Sequence, residues 1–222
     1  MTRAGVDTVT RRNLYIIGAG GFGREVFRWA RDIPTGERDW EVRGFLDSKL
    51  GAQVPPSFGV QVIGSPELYA PKESDCFVCA IGDPRTRLSL CRSLESRGFR
   101  FITIIHPTSI VGDSTAIGRG VILCPYTIVT CNVRLGPFVI MNIYASVGHD
   151  STLGDGCMLG CYCQVSGLAN LGEAVFMGNH ATVLPSAVVG ARAVVGAGSV
   201  VLRRVKADST VMGVPAKHVY SR

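Results

Sequence analysis

The side chains best suited to chemistry in this chain are adjacent, His149 and Asp150, directly after Gly148. An imidazole has an unperturbed pKa of about 6.5 and can take up or release a proton near neutrality. A carboxylate beside it would stabilise the charged form. Adjacent residues on a strand face opposite ways, so the sequence leaves open which carboxylate serves His149. His180 is the second candidate. His106, before Pro107, reads as structural, and His218 lies in a basic tail. A second constellation is Gly18-Ala-Gly-Gly-Phe-Gly23, which follows the apolar Asn13–Ile17 and precedes the helical-looking Arg24–Arg31. Glycines at this spacing let a backbone approach phosphate at a helix N-terminus. Asp47 closes the next strand, where a ribose hydroxyl could be bound. The same spacing also suits a bare strand–helix turn. A whole NAD would need a second mononucleotide-binding half, for which the segment has little room. Cys76-Phe-Val-Cys79 has the spacing of half a zinc site without its other half. All eight cysteines therefore read as packing residues.

These groups need elements to hold them, and the second half of the chain supplies a repeat. Stepping by six from Val111 to Val201 meets only aliphatic residues or Met, and Gly follows many of them, as at Gly112, Gly148 and Gly196. Two residues before each stands a small or β-branched residue. A period of six belongs to neither helix nor simple strand and indicates a β-helix. Three hexads make one triangular coil, with the aliphatic residue inward. The glycines are expected to turn the backbone at positive φ. The array predicts about five coils, stacked at about 4.8 Å. In this frame His149 and His180 fall two and three residues after an inward position, at the surface.

Residues 1–105 carry a different pattern. Strands are expected over 13–17, 41–47, 76–81 and 101–105, and helices over 24–31 and 86–97. Alternating β and α elements imply a small parallel sheet. Pro107 marks the join, giving an α/β Rossmann-like domain over 1–105 and a β-helix over 106–222.

With 222 residues, 46% hydrophobic and 18% charged, the chain is too apolar for disorder and has no apolar run long enough to span a membrane. No secretory leader pattern is seen, which predicts a cytoplasmic protein. The net charge of +6 is concentrated late: Arg192, Arg203, Arg204, Lys206, Lys217 and Arg222 face only Asp208. An anionic ligand or a solvated tail would each explain this. Aromatic-interleaved basic motifs are missing, which argues against nucleic acid.

Taken in order, Ile16–Glu25, Gly44–Asp47, Ile81–Asp83, Ile105–Pro107, Asn142–Asp150 and Gly213–Lys217 resemble the bacterial sugar acetyltransferases related to sialic acid O-acetyltransferase. Within these, the chain is most similar to the PglD-type N-acetyltransferases of nucleotide-linked 4-amino sugars. The resemblance implies a left-handed parallel β-helix of hexapeptide repeats, a homotrimer, and acetyl-CoA in the groove between neighbouring prisms. It implies His149 as general base, Asp150 as the acid after it, Asn142 in the active-site stretch and the Gly167 N–H as oxyanion donor. Gly18, Gly20, Gly21, Phe22, Asp47 and Gly82 would hold the nucleotide sugar. Gly167, Met158, Gly196, Ala197 and Lys217 would lie along CoA. Phe22 and Met158 stand where PglD-type enzymes have histidines. No metal is implied.

The expected reaction is direct acetyl transfer to the amine of a nucleotide-linked 4-amino-deoxy sugar, for bacterial surface glycan synthesis. O-acetylation of a sialic acid or other sugar hydroxyl is the main alternative, because a His base serves either acceptor. A non-catalytic binding scaffold is the other. The γ-type carbonic anhydrases share the prism but need three convergent histidines, and hexapeptide nucleotidyltransferases carry a larger head with a motif missing here.

Overall fold

The computed structural model describes residues 11–49 and 51–221. The first part is a four-stranded parallel sheet in the order β3-β2-β1-β4, with β1 Arg12–Ile17, β2 Trp40–Leu46, β3 Val62–Gly64 and β4 Asp75–Cys79. Helix α1 covers Gly21–Asp32 and α2 covers Pro84–Glu95. The C-terminal halves of the central strands, Leu14–Ile17 of β1 and Gly44–Leu46 of β2, are apolar and mostly buried, as a sheet covered on both faces requires. Asp83 caps α2 by accepting the Thr86 N–H at 2.8 Å. The short strand β3 has only three residues and gave no recognisable pattern.

The second part is a parallel β-solenoid of two-residue strands on three faces. One face runs from Ile110–Val111 to Val200–Val201, the second from Ala116–Ile117 to Arg204–Val205, and the third from Ile104–Ile105 to Ser209–Met212. Paired residues are 18 apart, as with Arg134 and Thr152 or Ser146 and Gln164. The faces hold six, six and seven parallel rungs, so about five coils was an underestimate. The array begins one step early, at Ile105. After Val201 it makes one step of four residues, to Val205, and then continues to Val211. The inward aliphatics and the small residues two before them form one continuous core.

Two expectations change here. The glycines after the inward residues do not turn the chain. Positive φ falls two residues later, mostly on non-glycines such as Tyr126, Tyr144, Asp150, Leu168 and His180. A Cβ on Gly154 would instead lie 2.7 Å from the Glu173 nitrogen, and one on Gly148 2.5 Å from the Gly167 nitrogen. The glycines are there because the next coil passes too close for any side chain. The expected strand over 101–105 is also divided. Phe101 makes a single bridge to Phe77 of the head, whereas Ile104–Ile105 pairs with Ile122–Leu123 of the prism.

Head and prism share their packing. Ile104, Ile122, Ile140 and Met158, from the third face, lie in one apolar cluster with Val26, Phe27 and Trp29 of α1. Arg87 of α2 is fully buried at this joint. Its guanidinium donates to the carbonyls of Ile81, Gly82, Phe138, Gly156 and Cys157 at 2.6–3.3 Å. A buried charge is tolerable when its donors are all met in this way. Nothing in the sequence marked Arg87 out.

Candidate active site

The corner between the first and second faces stacks equivalent residues of successive coils. Asn132, Asp150 and Leu168 form one column, all at positive φ, and Cys131, His149 and Gly167 form the column beside it. His149 and Asp150 therefore occupy a turn, and the strand rule that would separate them does not apply. His149 Nδ1 lies 2.7 Å from Asp150 Oδ2, so the partner carboxylate is the adjacent one. Asn132 Nδ2 donates to Asp150 Oδ1 at 2.5 Å. The hydrogen bonds from His149 and then Asn132 hold the Asp150 carboxyl below its ordinary range, so it is ionised at neutral pH. An ionised carboxylate only accepts, so Nδ1 carries the proton in the neutral ring and Nε2 presents the lone pair.

The Nε2 edge of the ring lies over Gly167: a Cβ there would sit 2.7 Å from Nε2, 2.8 Å from Cε1 and 3.1 Å from Cδ2, against the ring face, which leaves the in-plane Nε2 lone pair clear of Gly167. Its N–H donates to no group among the described residues, while its carbonyl accepts from Ser186 N–H at 3.0 Å. The corner thus offers a base oriented by a carboxylate, beside a main-chain donor with no partner. Geometry of this kind suits proton removal from a nucleophile attacking a carbonyl.

Other expected site residues lie elsewhere. Asn142 opens the preceding corner, at the far end of strand Ser146–Val147 from His149, and its side chain accepts the Ile143 N–H at 2.8 Å. Gly196, Ala197 and Lys217 cluster near that same edge. Ala197 and Lys217 are exposed, while the space a Gly196 Cβ would need is filled by Met212. One chain therefore does not bring the His149 group and these residues together. Met158 is only 7% exposed and packs between Ile140 and Phe176 in the joint, so its side chain offers a cofactor little surface. Phe22 packs against the same cluster, edge-on to Trp29 at 5.9 Å. The two positions without the family histidines thus share one apolar cluster.

In the head, Gly18 at φ +101 faces the Ala80 carbonyl, and a Cβ on Gly23 would collide with the Gly18 carbonyl. Gly20 and Gly21 border open space, at the uncapped N-terminus of α1. Gly82 is open on its Cα side and gives its carbonyl to Arg87. Asp47 accepts the Ala19 N–H at 2.7 Å and the Lys49 N–H at 2.8 Å, bracing the loop. The loop thus joins two glycines forced by packing to two that leave room for a ligand.

Six cysteines are buried, but Cys131 is exposed and Cys161 half-buried, because both stand at corner positions. The late basic cluster is partly neutralised, since Arg192 pairs with Asp208 at 2.6 Å and Arg85 reaches the same carboxylate at 3.3 Å. His149 and His180 lie on different corners. Among the described residues no group of acidic, His and Cys side chains is arranged to hold a metal, and no helix is long and apolar enough to cross a membrane.

An α/β head on a hexapeptide-repeat prism, with a carboxylate-held histidine at a prism corner, is the architecture of the hexapeptide-repeat acyltransferases. Comparison with known proteins narrows this class. Residues 13–94 match the family model of the PglD N-terminal domain. GDP-perosamine N-acetyltransferase of Escherichia coli O157:H7 is 34% identical over 117 residues, 51% of this chain and 52% of that protein. The chain thus spans about half the length of the curated relatives it matches. Solved structures align over far more. A point mutant of perosamine N-acetyltransferase from Caulobacter crescentus, in complex with CoA and GDP-perosamine, superposes with a TM-score of 0.85 at 32% identity, covering 94% of this chain and 97% of that one. The acetyltransferase domain of PglB from Neisseria gonorrhoeae gives 0.85 at 30% identity, covering 94% and 100%. The chain belongs to the PglD-type family of sugar acetyltransferases.

Proposed function

We propose that this chain transfers the acetyl group of acetyl-CoA to the amine of a nucleotide-linked 4-amino-deoxy sugar. The observation that carries this is the Asp150–His149 pair, with the Nε2 edge of the ring lying over Gly167. The similarity to proteins crystallised with CoA and GDP-perosamine supports the substrate class. The neutral amine attacks the thioester carbonyl, forming the C–N bond. His149 Nε2 removes the ammonium proton, a contribution typically worth 10²–10⁴-fold. The Gly167 N–H holds the oxyanion, typically worth about 10²–10³-fold. The C–S bond then breaks, and the imidazolium returns its proton to the departing thiolate. Asp150 stays ionised throughout and stabilises the imidazolium.

The nucleotide phosphates are assigned to the open N-terminus of α1 at Gly20 and Gly21, with Gly18, Phe22, Asp47 and Gly82 around it. Acetyl-CoA is assigned to a groove between two copies in a trimer. One copy supplies His149, Asp150 and Gly167, and its neighbour supplies the edge bearing Asn142, Ala197 and Lys217. Met158 and Gly196 would act there through packing. The division at residue 105, a cytoplasmic location and a role in bacterial surface glycan synthesis complete the proposal. The test is thiol release from acetyl-CoA against UDP-, dTDP- and GDP-linked 4-amino sugars. Turnover only with a free sugar hydroxyl would replace N- by O-acetylation, and tight binding without turnover would leave a scaffold.

A further inference from the structure

We propose that Asn132 is a positioning residue for the proton transfer, acting through Asp150 to fix the tautomer and direction of His149. The proposal rests on the base role given to His149 above. Both members of the His–Asp pair are exposed, with side chains 59% and 41% accessible. An exposed carboxylate on a turn has several rotamers open to it, and only some face Nδ1. Asn132, one coil earlier in the same column, removes that freedom by donating Nδ2 to Oδ1 at 2.5 Å, which leaves Oδ2 for His149 at 2.7 Å. Its own backbone is pinned, since its N–H donates to the Asp113 carbonyl at 2.9 Å. An amide suits this task because it is neutral. It anchors the carboxylate without cancelling the charge that stabilises the imidazolium, as an Arg or Lys would.

The column itself supplies variants that the fold accepts. Leu168 holds the equivalent turn at φ +61, and Ser114 and Ser186 hold it at φ +57 and φ +60. Asn132→Leu keeps bulk and removes the donor, and Asn132→Ser keeps a shorter donor. In the full chain, Asn132→Leu is expected to lower kcat about tenfold with KM for acetyl-CoA and nucleotide sugar within twofold, and Asn132→Ser to recover part of the loss. In an Asp150→Ala background, Asn132→Leu should have no further effect. Independently of turnover, ¹⁵N NMR of the His149 ring should show one neutral tautomer, protonated at Nδ1, in the unaltered chain and a mixture in Asn132→Leu. An unchanged tautomer in Asn132→Leu would overturn the proposal, as would an equal loss of kcat without Asp150. If no acceptor in the panel turned over, the NMR result would still decide the positioning role by itself.

Discussion

At one corner of the prism, residues 18 apart stack as Asn132, Asp150 and Leu168. At another, the same step stacks Tyr126, Tyr144, Tyr162 and His180, with ring centroids 4.9 Å apart and planes within 13° of parallel. Both columns are exposed and both sit at positive φ. His149 and His180 differ by one position in the turn. His149 is the first turn residue, so its ring leans over the next coil, where Gly167 leaves room and Asp150 is within reach. His180 is the second, so its ring lies flat on Tyr162. Exposure does not separate a carboxylate-held histidine from a ring-stacked one in this repeat. The turn position, and the residue 18 further on, do.

The largest expected effects lie at the first corner. His149→Ala should lower kcat by about 10³-fold or more while leaving the fold intact, because a base is lost and its largely exposed ring gives up little packing. Thiol-release kinetics and circular dichroism would check both parts. Gly167→Ala should cost about 10²-fold. Its methyl would press on the ring face, 2.7 Å from Nε2 and 2.8 Å from Cε1, so the ring must shift from the position Asp150 holds it in. Near-normal turnover in either variant would remove this corner from the mechanism.

Much of this was legible in the residues. The six-residue step revealed the prism, its inward side chains and the surface positions of both histidines. His149, Asp150 and Gly167 were named as a group through their resemblance to the family. Other features were hidden for physical reasons. The His–Asp contact and the Asn132 anchor depend on a left-handed turn, and nothing in composition separates a turn Asp from a strand Asp. The tyrosine column is visible only once the coil length of 18 is known. Arg87 looks like any helix arginine until α2 is laid against the carbonyls of the third corner. The glycines were placed correctly but explained wrongly, because contact with the next coil is a tertiary constraint that local propensity does not encode.

That distinction among glycines gives an intermediate test. Gly154→Ala sets a methyl 2.7 Å from backbone of the next coil, and should cost about 1–3 kcal/mol in denaturant unfolding, as overpacking does. Gly20→Ala adds its methyl to open space and should change stability by less than about 0.5 kcal/mol. If Gly20 borders the phosphates, the same change should raise KM for the nucleotide sugar. Equal stability losses at the two positions would contradict the close-approach account.

The smallest effect belongs to the aromatic corner. Tyr144 has a ring on each face and His180 only one, with Gly198 the next residue in its column. Each stacked pair is worth about 0.5–1.5 kcal/mol, so Tyr144→Ala should destabilise more than His180→Ala, with the latter near the bottom of that range. Neither removes a group from the His149 corner of the same chain. For His180→Ala, kcat should therefore stay within about twofold of the parent. His180 shares its corner with Asn142 and Ala197, the edge proposed to line a neighbour's groove, so a loss comparable to that of His149→Ala would mean that its ring reaches the reacting groups there and does more than form a wall. The contrast between the corners would then hold within one chain but not across the groove.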